Sequence, residues 1–128
     1  MNYDAYYSYH TTNLDAQTSQ ASPVQLVIIL MDGLLEELAR ARAHIEAKRF
    51  EEKARSLDKC INILNGLSSA LDTESENEVV VSLGHLYEFC AGHLYKAGFS
   101  MNPALIDEVV ELLTVIRNGW KSVQDRGE

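Results

Sequence analysis

The groups that could do chemistry in this chain are four histidines, two cysteines and nineteen Asp and Glu among 128 residues. In a helical protein their most telling arrangement would be E-x-x-H, which lets facing helices hold a di-iron centre. His44, His85 and His93 are preceded at that spacing by Ala41, Ser82 and Cys90, so the motif is missing. His85 and His93 stand eight positions apart, about 12 Å along a helix, too far to share one metal ion. The histidines read as structural or solvent-facing groups. Cys60 and Cys90 are isolated, without CxxC or ligand spacing, and read as small apolar core residues. There is no G-x-S-x-G, no phosphate loop and no dinucleotide glycine pattern. Ser, His and Asp occur without a spacing that argues for a triad. No catalytic residue, metal or cofactor is expected, and the chain does not read as an enzyme.

The totals narrow the field further. A formal net charge of −8, with no Lys or Arg in residues 1–39, excludes the basic stripe that nucleic acid needs. It also removes the charged start of a secretory signal. The longest apolar run falls far short of the roughly 20 residues of a membrane span, so no membrane insertion is expected. A soluble cytoplasmic protein with one domain is the expectation.

Positioning falls to helices. Residues 1–21 are polar yet hold Tyr3, Tyr6, Tyr7 and Tyr9, and read as a flexible arm that docks somewhere. Residues 22–128 read as the folded domain. Ser22 caps a first helix, Pro23 fits its first position and Gln25 completes a capping box. That helix should run to about Lys48, with Leu26, Leu30, Leu34, Leu38, Ala41 and Ile45 facing inward. A second runs from Phe50 to about Leu71, on Ala54, Leu57, Ile61, Leu64 and Leu71, and an acidic loop follows over Asp72–Asn77. A third spans about Glu78 to Ala97, closed by Gly98 as a C-cap, with Val79, Val80, Leu83, Leu86, Tyr87, Cys90 and Leu94 apolar. Asn102-Pro103 starts a fourth, reaching about Gln124 and packing through Leu105, Val109, Leu112, Ile116 and Trp120. Short linkers make successive helices antiparallel neighbours, so the fold class is all-α: an up-down four-helix bundle with an N-terminal arm. Gly33, inside the first helix, reads as a close helix–helix approach.

Apolar residues exceed what those stripes need. Val24, Val27, Ile28, Met31 and Leu35 lie off the first helix's inward line, and Ile106, Val110, Leu113 and Val115 flank the fourth's. A bundle helix leaves roughly half its surface to solvent, so such a surplus marks a partner site. The arm, a second copy of the chain and a foreign client all remain open as its cover.

One further pattern concerns order along the chain. Ala21-Ser22-Pro23-x-x-Leu26-x-x-x-Leu30-Met31-Asp32-Gly33, followed by Ala41 and Ile45, resembles the first helix of the FliS family of flagellin export chaperones, typically A-S-P-x-x-L-x-x-x-L-Y-D-G. The likeness continues through Ile61-Asn62-Ile63-Leu64, Leu67 and Leu71-Asp72. It extends over Leu83-x-x-Leu86-Tyr87 with Leu94 and Ala97, and ends at Ile116-Arg117-x-x-Trp120-Lys121. Tyr9, thirteen residues before Ser22, and Tyr6 sit where that family carries an aromatic N-terminal segment. Met31 departs from the usual aromatic, and Gly98-Phe99 from the usual Asn.

What the resemblance implies is a cytoplasmic, ATP-independent chaperone. Its client would be the disordered C-terminal segment of flagellin, folding as helices on apolar grooves so that flagellin neither polymerises early nor misses the membrane-bound export gate. Ile28, Met31, Leu35, Ile106, Val110 and Leu113 are the expected groove residues, and Leu26, Leu30, Leu38 and Trp120 the plain core. Tyr6 and Tyr9 are the expected arm or gate contacts. The competing reading is a self-assembling bundle whose extra apolar face forms a weak homodimer.

Overall fold

The structure is a computed structural model that describes residues 21–71 and 76–127. Four helices account for nearly all of them: α1 (Pro23–Glu46), α2 (Phe50–Ser69), α3 (Glu78–Ser100) and α4 (Pro103–Asp125). The starts are built as the sequence dictates. Ser22 Oγ accepts from the Gln25 backbone N–H at 3.2 Å while Gln25 Oε1 accepts from the Ser22 N–H at 2.9 Å. Asn77 and Asn102 cap α3 and α4 by accepting from Val79 and Ala104 N–H groups. These bonds satisfy donors that a helix start otherwise leaves orphaned. Only three residues join α1 to α2 and two join α3 to α4, with Lys48 (φ 57) and Met101 (φ 55) turning the chain.

The helices form a square ring: α1 packs on α2 and α4, and α3 packs on α2 and α4. This is the up-down order that short connections favour. Met31, Leu34, Leu38, Leu64, Leu67, Leu94, Ile106, Val109 and Leu113 fill the centre, fully buried, together with both cysteines.

Several expectations need correction. Inward positions on α1 are Val24, Ile28, Met31, Leu34, Leu38, Ala41 and Ile45, while Leu26 and Leu30 are only half-buried. Steps of four residues advance about 40° each, so the ladder Leu26–Leu30–Leu34–Leu38 winds round the helix. The buried line mixes steps of three and four and stays on one face. Likewise α4 buries Ile106, Val109 and Leu113, leaving Leu105, Leu112, Ile116 and Trp120 half-buried at the core's edge. Val79 is exposed.

Gly98 is no C-cap, because α3 continues to Ser100 and Met101 takes the left-handed cap position. A Cβ on Gly98 would lie 2.8 Å from Leu57 Cδ1, so the glycine serves the approach of α2 to α3. Gly33 does not serve an approach of this kind: a Cβ there meets nothing within 4 Å.

Candidate binding surface

Two of the four seams between helices differ sharply in how they are closed. Across α1 and α4, Arg117 Nε and Nη2 donate to Asp32 Oδ1 and Oδ2 at 2.9 and 3.3 Å. Arg42 Nε and Nη2 donate to Asp107 Oδ1 and Oδ2 at 2.7 and 3.1 Å. Both are bidentate, the geometry that gives an arginine–carboxylate pair directional specificity. Asp32 precedes Arg42 by ten residues, as Asp107 precedes Arg117. The pairs therefore fix one antiparallel register at two points about 15 Å apart. Their polarity is opposite, so a slipped pairing would set like charges together. Hydrogen bonding from Arg42 holds the Asp107 carboxyl below its usual range.

Because the Asp32–Arg117 pair is partly exposed, it should contribute little but measurably. Arg117→Asp alone should lower the urea midpoint. The exchange Asp32→Arg with Arg117→Asp should recover much of the loss, with a coupling of about 0.5 kcal/mol that shrinks in salt. A double-mutant cycle giving zero coupling would deny the clasp.

Leu35 and Val110 lie half-buried on these two clasped helices, packed against the core. They keep some access from outside. The other expected groove residues do not. Met31, Ile106 and Leu113 are fully buried in the central cluster, and Ile28 is buried too. Tyr6 and Tyr9 lie outside the described residues.

The α3–α4 seam leaves large apolar side chains in solvent. It is spanned by a side-chain hydrogen bond between His93 Nε2 and Glu108 Oε2. Phe89 stacks on the His93 ring with centroids 4.6 Å apart and planes at 29°. Counting antiparallel from His93–Glu108, Phe89 comes level with Leu112 and Leu86 with Val115. Phe89 is 53% exposed and Val115 67%, with half-buried Leu86 and Leu112 beside them. An apolar trough thus runs along the seam, with the exposed carboxylates Glu108 and Glu111 on its α4 side. Phe89 was missed from sequence because it falls off the inward stripe of α3, and an off-stripe phenylalanine was the available signal.

The thiols offer no chemistry. Burial, reinforced by Glu37, pushes the Cys60 thiol up, and burial alone pushes Cys90 up to about 11. Burial, then the neighbouring Cys90, pushes the Tyr87 phenol up to about 12. Native protein should accordingly label slowly with Ellman's reagent at pH 8, and both thiols should react on unfolding. Above about pH 8.5 the unfolded chain releases thiol protons that the folded chain keeps. The melting temperature should therefore fall between pH 8 and pH 10; fast native labelling at pH 8 would contradict the buried thiols. Among the described residues, no group of three or more His, Cys, Asp or Glu could hold a metal ion. No described helix is long and apolar enough to cross a membrane.

The structure thus defines an all-α four-helix bundle with buried thiols that leaves large apolar side chains, Phe89 and Val115, in solvent along one seam. The comparisons make that class specific. The family model described as Flagellar protein FliS matches residues 5–127. The flagellar secretion chaperone FliSB of Pseudomonas aeruginosa is 38% identical over 115 residues, covering 90% of this chain and 91% of that protein. FliS of Salmonella typhimurium is 33% identical over 120 residues, covering 93% and 89%. FliS of Escherichia coli is 34% identical over 115, covering 89% and 85%. The chain belongs to the FliS family, a family of flagellar chaperones and not of enzymes.

Proposed function

We propose that this chain is an export chaperone for flagellin, acting in the cytosol and binding flagellin's disordered C-terminal segment. The observation that carries the reading is the open apolar trough between α3 and α4, with Phe89 and Val115 standing in solvent. An amphipathic segment that folds as it binds finds there the helix-in-groove contact such clients use. The relatives named flagellar secretion chaperones support the client class. Half-buried Leu35 and Val110 extend the contact where a client wraps toward α1, and Ile28, Met31, Ile106 and Leu113 act from beneath as packing. The arm, residues 1–21, with Tyr6 and Tyr9, serves the groove or the membrane-bound export gate, and residues 22–128 form the client-binding domain. Sequestering the client segment prevents early polymerisation and leaves it ready for delivery to the type III export gate.

The test is calorimetric titration with full-length flagellin and with flagellin lacking its C-terminal segment. Binding to the first alone supports the reading; equal binding to both removes the proposed epitope. Light scattering of the chaperone with and without the C-terminal peptide tests the homodimer reading, which predicts a dimer that the peptide leaves intact.

A further inference from the structure

Charge is spread unevenly along the chain. Residues 40–59 hold seven of its eleven Lys and Arg but four of its nineteen Asp and Glu. The fold gathers most of this segment at the end of the bundle where α1 turns into α2 and α3 into α4. Lys53 Nζ donates to the Gly98 carbonyl at 2.9 Å, tying the start of α2 to the end of α3. Beside that tie stand three aromatic side chains the core does not use: Phe50 is 60% exposed, Tyr95 64% and Phe99 95%. Lys48, Arg49 and Lys96, all exposed, border them. Aromatics in water beside cationic side chains have the composition of an interface core, where aromatic residues and Arg are enriched.

We propose that this end of the bundle is a second docking surface, and that its occupant is an acidic segment of a protein partner that also presents apolar side chains. Charge complementarity identifies the occupant. Arg40, Arg42, Arg49 and Arg55 are already paired with Glu37, Asp107, Glu52 and Glu51, so the attraction rests on Lys48 and Lys96 beside the aromatics. The remainder of the chain is strongly negative and repels an acidic segment, so approach is steered here. The α3–α4 trough is distinguished from it by the exposed carboxylates Glu108 and Glu111 on its α4 side. A flat anionic bilayer fits less well. It would meet Glu51, Glu52 and Asp58 interspersed among the cations, which a threaded segment can avoid, and it would face the whole chain's net charge of −8.

The experiment titrates the full chain, isotope-labelled for NMR, with a synthetic amphipathic peptide of Glu and Leu, with its Lys-for-Glu counterpart, and with phosphatidylglycerol vesicles. The acidic peptide should bind, shifting amides of residues 48–53 and 95–100, and should weaken at least tenfold between 50 and 300 mM salt. Phe99→Ser with Lys96→Glu should weaken it at least tenfold while leaving the melting temperature unchanged. The wild-type shift map locates the bound peptide independently of any variant. No binding, equal binding of the Lys peptide, shifts confined to residues 86–89 and 112–115, or binding to the vesicles instead would each overturn the proposal.

Discussion

Replacing Met31 or Leu113 by Ala should each cost the bundle about 2–5 kcal/mol, with the urea midpoint falling and the m-value unchanged. Both side chains are fully buried in the central cluster, where their removal leaves a cavity as well as lost transfer energy. Total stability for a domain of this kind is about 5–15 kcal/mol, so the double variant should be largely unfolded at 37 °C. The folded fraction of each single variant should still bind its client, because neither residue reaches the surface. A variant that melts like the wild type and loses binding would return these positions to the groove.

The reason these two residues read as groove in the sequence is a matter of phase. Type and periodicity made the four helices legible, and the caps Ser22 and Asn102 placed the starts of α1 and α4. Periodicity does not say which of several apolar faces turns inward when a helix is apolar nearly all round, as α1 is from Leu26 to Met31. Packing decides that through the partner helices, and on α1 it chose Met31 and Ile28 over Leu30 and Leu26. On α4 the face rotated by one position, burying Ile106 and Leu113 in place of Leu105 and Leu112. Excess apolar surface was legible; its address was not.

Other features were invisible for a different reason. Asp32–Arg117 and Arg42–Asp107 join residues 85 and 65 positions apart, so neither pair has a local signature. Gly98 reads as a helix stop in sequence, and only the nearness of Leu57 shows why a glycine stands inside α3. Phe89 gains its meaning from the His93–Glu108 pair, which fixes what lies opposite on α4.

The second large effect is expected at that seam. Phe89→Ser and Val115→Ser should leave stability within about 0.5 kcal/mol of wild type, since both side chains already stand in solvent. Binding of flagellin's C-terminal peptide should nonetheless weaken about 10- to 100-fold for Phe89→Ser, the effect of losing a buried aromatic anchor worth roughly 1.5–3 kcal/mol. Val115→Ser should weaken it by less, because valine buries a smaller surface, and the double variant need not be additive where the residues share one contact. The heat-capacity change on binding should become less negative in the same order, as less apolar surface leaves water. Leu35→Ser separates the two seams. Leu35 is half-buried on the clasped α1–α4 side, so that change should lower stability and binding together. If Phe89→Ser and Val115→Ser bind as tightly as wild type while Leu35→Ser loses the peptide, the client lies along α1 and α4 and the open trough serves something else.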